Sequence, residues 1–163
     1  MAMNDSQRPQ AQDDAHYMRL ALEQASLAEN AGEVPIGAII VFKDEIIGRG
    51  FNRNLIDHDP SAHAEMVALR EAARTSRNHR LSGCQMFVTM EPCAMCAGAL
   101  VHARFARLVY GASDPKAGAV TSVMQVLNHP KLNHLMDATS GVLAEDCGEM
   151  VKAFFRSRRA ESK

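Results

Sequence analysis

The stretch CQMFVTMEPCAMCAGALVHARFARLVY, residues 84–110, decides the fold. Cys84 to Met90 is apolar and rich in β-formers, and reads as a buried strand. Glu91-Pro92 then opens a helix, with Pro92 at the first helical position, running from Cys93 to about His102. Arg107–Tyr110 (RLVY) is a strand again. Strand, helix and strand in quick succession are the repeating unit of a sheet covered by helices.

The pattern extends in both directions. Upstream, Asp59 reads as a helix cap and Pro60 as the first helical residue of a helix carrying Ala62 to about Thr75. Before it, Val34–Phe42 (VPIGAIIVF) and Glu45–Phe51 form a hairpin turning near Lys43-Asp44. Met18, Leu20, Ala21, Leu22, Ala25, Leu27 and Ala28 give an amphipathic helix stopped near Gly32. Downstream come a glycine-containing loop, Gly111–Ala119, a short helix around Ser122–Leu127, a strand over His134–Thr139 and a last helix over Ala144–Arg159. The expectation is one α/β domain over residues 15–163, three-layer α/β/α with a central mixed sheet of about five strands. Residues 1–14 (MAMNDSQRPQAQDD) are polar and aperiodic and are expected as a disordered N-terminal tail.

Composition narrows the function classes. A net charge of −1 excludes a globally basic nucleic-acid module. Any contact with RNA must come from a local patch, and Lys152, Arg156, Arg158, Arg159 and Lys163 form one at the C-terminus. The same cations also suit the negative end of a helix dipole. No secretory signal and no membrane span are legible, so a cytoplasmic setting with reduced thiols is expected. The closely spaced cysteines of the four present then read as ligands or catalytic groups.

Two motifs carry chemistry: His63-Ala64-Glu65 and Pro92-Cys93-Ala94-Met95-Cys96. From composition, a His-x-Glu match arises by chance about 0.4 times in such a chain, and Pro-Cys-x-x-Cys about 0.003 times, so the second motif gives the first its weight. Cysteines at i and i+3 share one face of a helical turn, and the positive helix start favours thiolate over thiol. His63 and Glu65 lie about 200° apart around a helix, so they can share a target only beyond its N-terminus. Two helix starts facing one ion are therefore expected, with His63, Cys93 and Cys96 as ligands. Three ligands leave the fourth tetrahedral position open, the mark of catalytic zinc, and Glu65 then serves as a proton carrier. A redox pair leaves His63 and Glu65 unexplained. A structural zinc site needs a fourth ligand, for which Cys84, Cys147, His58, His79, His102, His129 and His134 are only nominal candidates.

His63-Ala64-Glu65 followed by Pro92-Cys93-x-x-Cys96 resembles the zinc-dependent cytidine and nucleobase deaminase superfamily. Within it the chain is most similar to the bacterial tRNA-specific adenosine deaminase family, through Gly32–Ala38, His58–Glu65, Glu91–Ala99, Asp114–Ala119 and the ending Phe154-Phe155-Arg156-x-Arg158-Arg159. The resemblance covers roughly residues 16–160. It implies a cytidine-deaminase-like fold, one zinc ion per subunit, a homodimer, and conversion of adenosine to inosine at the wobble position of a tRNA anticodon stem-loop. By position it implies that Asn52 bonds the flipped base or its sugar and that Val34 and Pro35 line the base pocket. The amide of Ala64 would meet the exocyclic side of the base. Asp114 and Lys116 would sit on a loop meeting neighbouring nucleotides, and Phe155 and Arg156 would touch flanking RNA. Phe51 stands where some relatives carry Trp. The alternatives are a zinc deaminase of a free base or nucleoside, of guanine or cytosine type, and a zinc-stabilised RNA-binding module without catalysis.

Overall fold

A computed structural model describes residues 10–162. The elements run α1 (Gln10–Asn30), β1 (Gly37–Phe42), β2 (Glu45–Phe51), α2 (Ala64–Ser76), β3 (Gln85–Met90), α3 (Ala94–Ala103), β4 (Arg107–Ala112), β5 (Asp137–Thr139) and α4 (Ala144–Glu161). They form one five-stranded sheet in the order β2-β1-β3-β4-β5. β1 pairs antiparallel with β2 and β3, and β3, β4 and β5 run parallel. The sheet is mixed, as the sequence suggests.

Both faces of the sheet are buried, and the strands alternate between them. Ile40, Met86, Val88, Leu108 and Tyr110 join Ala64, Ala68, Ala97 and Leu100 of α2 and α3 in one core. Ile39, Val41, Phe87 and Val109 join Met18 and Ala21 of α1 and Cys147 of α4 in the other. Full burial of a side chain such as Phe87 contributes roughly 1.5–3 kcal/mol. α2 lies directly on β2, because Gly48 and Gly50 place no side chain between them. A Cβ added there would stand 2.4 Å from the Ala68 carbonyl oxygen and 2.3 Å from that of Ala64. The hairpin turns on Lys43 and Asp44, both left-handed at φ 49° and 66°, as a two-residue turn with the native strand twist requires.

Several local expectations give way to longer-range contacts. α1 already begins at Gln10, so residues 10–14 belong to it rather than to a tail; residues 1–9 lie outside the described part. Asp14 is the reason. It is buried and grips Arg107 of β4 through two bonds of 2.8 and 2.7 Å, while Arg107 also donates to Gln85 and Thr139. The first strand starts at Gly37, because Val34–Ile36 closes a tight turn through the Ile36 N–H and Val34 carbonyl. Asp59-Pro60 does not start α2. The Asp59 carboxylate accepts the Ser61 amide and hydroxyl, which makes a turn, and His63 is the cap. Likewise Cys93 rather than Pro92 bounds α3, and the Pro92 carbonyl accepts the Ala119 N–H in an extended lead-in. Residues 122–127 form turns and irregular chain, not a helix, since Glu91 captures the amides of Val120, Thr121 and Ser122 at the entry to the segment. The last strand is confined to Asp137–Thr139, with His134 bonded to the Phe105 carbonyl before it. No described helix is long and apolar enough to cross a membrane.

Candidate active site

The starts of α2 and α3 converge. His63 bounds α2, Cys93 bounds α3, and Cys96 lies in the first turn of α3. His63 Nδ1 is 3.5 Å from Cys93 Sγ and 3.6 Å from Cys96 Sγ. One donor atom from each of the three residues lies within 4.8 Å of the others, so the group could hold a metal ion. Among the described residues no other cluster has that property.

Electrostatics suit a cation. A hydrogen bond from the Cys96 thiol, with help from His63, holds the Cys93 sulfur down at about 3, a thiolate at neutral pH. Its bond to Cys93, and burial, push the Cys96 thiol up. The bond to Cys93 raises the half-buried His63 imidazole. Glu65, only 5 % exposed in the first turn of α2, is pushed up by burial, so its protonated form is favoured relative to a carboxyl in water.

A pocket of about 260 Å³ opens beside this cluster. Of the residues singled out in the sequence, Val34, Asn52, His63, Glu65, Cys93 and Asp114 line it. Ile36, Asn54, Met90, Glu91 and Ala117 also line it, and sequence reasoning did not assign them to the site. Pro35 is buried and lies outside the lining, as the middle residue of the turn whose ends, Val34 and Ile36, line the pocket. The Ala64 amide, expected against a base, instead donates to Asn52 Oδ1 at 2.8 Å. Ala64 itself is fully buried. That bond spends the oxygen of Asn52 inside the fold, leaving its amide nitrogen as the donor available to the pocket.

Lys116, Phe155 and Arg156 lie apart from the pocket, around a cleft shared with Val151, Lys152 and Arg159. A neighbouring cleft of about 610 Å³ takes in Met90 and Asp114 and so runs on from the pocket. The C-terminal cations divide. Arg156 pairs with Glu149. Arg158 donates to the Gly32 carbonyl at 2.7 Å and stacks over Phe154 at 4.9 Å. Lys152 and Arg159 are exposed at the cleft, and Lys163 lies outside the described residues.

Besides Asp14, two buried carboxylates close to the site went unassigned in the sequence reading. Glu33 accepts the Leu55 and Ile56 amides and holds the loop after Asn52. Glu91 accepts bonds from Asp114, Val120, Thr121 and Ser122. Those bonds outweigh its burial and hold it well below the usual carboxylate range, at about 2. The signal for Glu91 was an acidic residue wedged between an apolar strand and Pro92.

The model of the MafB19-like deaminase family matches residues 12–159, so fold and site together define a deaminase. The tRNA-specific adenosine deaminase of Haemophilus influenzae is 46 % identical over 160 residues, spanning 98 % of this chain and 92 % of that protein. The enzyme of the same name from Bacillus subtilis is 45 % identical over 150 residues, spanning 92 % and 93 %. A solved structure from a study of A-to-I editing by tRNA:A34 deaminases superposes with a TM-score of 0.80 at 42 % identity, covering 83 % of this chain and 98 % of that one. The chain belongs to the MafB19-like deaminases, and within them to the tRNA-specific adenosine deaminase family. Its fold is accordingly the cytidine-deaminase-like α/β/α sandwich. A guanine deaminase from Nitrosomonas europaea, at 22 % identity and a TM-score of 0.71, shares that fold.

Proposed function

We propose that the chain hydrolyses adenosine to inosine at the wobble position of a tRNA anticodon, with one zinc ion per subunit held by His63, Cys93 and Cys96. The observation that carries this reading is the donor spacing. Tetrahedral zinc, at about 2.3 Å from sulfur and 2.0–2.1 Å from nitrogen, needs nitrogen and sulfur about 3.6 Å apart. His63 Nδ1 stands 3.5 and 3.6 Å from the two sulfurs. Thiolate and imidazole are the donors zinc prefers, and three of them leave one position open. Bound zinc supplies Lewis-acid activation of the attacking water.

The chain's own residues do the rest. Glu65 would carry one proton of that water to the ring nitrogen, where it stays, and then the second, from the hydroxyl added at C6, to the departing amine. A C–O bond forms at C6, the C6–N bond breaks, and the products are the oxo-base and ammonia. The amide nitrogen of Asn52 donates to the base or its sugar. Val34, Ile36 and Asp114 line the pocket, and its small size favours a single base already out of its stack, as in an anticodon loop. Lys116, Phe155 and Arg156 flank the cleft that would take adjoining nucleotides. The exposed Leu55, Ile56 and Met95 support a subunit interface close to the site and hence a homodimer, with the RNA loop lying across both subunits. A tRNA substrate supports a cytoplasmic setting.

The test is nucleoside analysis of an anticodon stem-loop bearing A at the wobble position. Zinc-replete protein should convert it to inosine with release of ammonia, and no inosine would reject the reading. Ammonia from free guanine or cytosine, with none from RNA, would assign a free-base deaminase instead. Binding of the stem-loop with no ammonia from any substrate would leave an RNA-binding module.

A further inference from the structure

The loop Asp114–Ser122 is wrapped around one carboxylate. Glu91 is 3 % exposed. One of its oxygens accepts the Asp114 N–H at 3.1 Å and the Ser122 hydroxyl. The other accepts the N–H groups of Val120, Thr121 and Ser122 at 3.1, 2.9 and 3.0 Å. Gly118 passes directly over it, since a Cβ there would lie 2.3–2.5 Å from its carboxyl atoms. Such a loop has no ladder of its own and owes its shape to this anchor.

What the loop carries makes the anchor matter. Asp114 and Ala117 line the pocket, as does an edge of Glu91 itself, and Lys116 stands at the adjoining cleft. Asp114 passes the order on, because its carboxylate accepts the Lys116 and Ala117 amides at 3.0 and 3.2 Å. On its other side Glu91 is one residue from Pro92, whose carbonyl accepts the Ala119 N–H, and two from Cys93. The loop and the start of α3 thus share one fixed reference point.

We infer that Glu91 is a positioning residue for the RNA substrate: its carboxylate sets where Asp114, Lys116 and Ala117 stand relative to the base pocket. This rests on the reading of the site as a tRNA deaminase. Because these loop residues shape the binding pocket and cleft without carrying protons or holding the metal, displacing them acts mainly on KM.

Two variants disturb the same contact from opposite sides. Glu91→Gln replaces one acceptor oxygen with a donor. Gly118→Ala keeps the carboxylate and pushes a methyl against it. Each should raise KM for the stem-loop by about tenfold or more, with kcat changed less than about threefold. Zinc content should stay at one per chain. The amides of Val120, Thr121 and Ser122 should exchange with deuterium at least about tenfold faster, a readout that needs no substrate. Asp14→Ala, which loosens the fold far from this loop, is the control and should leave KM and these amides unchanged. Unchanged KM in both variants overturns the inference. So does loss of zinc in step with activity, which would assign Glu91 to supporting the metal helix. If Glu91→Gln fails to fold, Gly118→Ala decides alone. Wild-type protein inactive on RNA would defeat the functional reading, while the exchange rates would still judge the anchor.

Discussion

Asn52 Oδ1 accepts the Ala64 N–H at 2.8 Å, joining the end of β2 to the first turn of α2. The bond fixes the start of the helix that carries His63 and Glu65, at a residue that lines the pocket. Asn52→Ala leaves a buried amide unpaired and should cost roughly 1–3 kcal/mol of stability. Deamination should fall as well. Denaturant unfolding alongside turnover checks both effects, and unchanged stability would show that the bond does not hold the helix start.

Glu65→Gln should keep fold and zinc and lower turnover by about 10²–10⁴-fold, the usual contribution of a proton carrier. Metal analysis and circular dichroism beside a kinetic assay make the comparison. Loss of bound zinc would contradict a role outside the ligand set.

Chelation should abolish activity and lower Tm, and zinc should restore both. Thiol alkylation at pH 8 reads the same event. With metal bound, no cysteine should react quickly. After chelation Cys93 should react first, as the half-buried thiolate of the cluster. Burial, with Asp146 adding to it, pushes the Cys147 thiol up to about 12. Its thiolate fraction at pH 8 is then about 10⁻⁴, so it should stay unmodified until the protein unfolds. Early labelling of Cys147 would contradict its place in the core.

Asp14→Ala should destabilise the fold by roughly 3 kcal/mol, because it strands Arg107 in a site where its side chain is 12 % exposed. Urea unfolding measures this. A change near zero would mean that Gln85 and Thr139 alone satisfy the guanidinium.

Binding of the stem-loop should weaken as salt rises. Lys152→Ala and Arg159→Ala, at the cleft, should each flatten the salt dependence of Kd by about one unit in the log–log slope. An unaltered slope in both would move the RNA path to another face.

Much of this architecture was legible because its causes are local. Ile39, Ile40 and Val41 announce a strand buried on both faces, and Cys93-x-x-Cys96 places two sulfurs on one helical turn whatever surrounds them. The misreadings share one origin. Asp59-Pro60 has the form of a helix start, yet Ser61 takes the Asp59 carboxylate. Residues 122–127 suit a helix, yet Glu91, far back in the chain, takes the amides of Val120, Thr121 and Ser122, and those of Val123, Met124 and Val126 go to Gly118 and Ala119. Met90 and Ala117 reach the pocket only because β3 and β4 lie in one register and the loop folds back, and no short window of sequence encodes that. The convergence of two helix starts was inferable because His63 and Glu65, two residues apart, can meet only beyond a helix end.

The bond from Arg158 to the Gly32 carbonyl gives the last helix a second office. Gly32 immediately precedes Glu33 and Val34, the residues that brace and line the pocket. The far end of the polypeptide is thereby latched to the rim of the cavity. Shortening the chain from its C-terminus should weaken RNA binding modestly once Arg159 is lost, and then release that rim at a step when Arg158 goes, visible as a further, sudden rise in KM along a truncation series. In such a molecule the tail is a part of the mould into which the base is pressed.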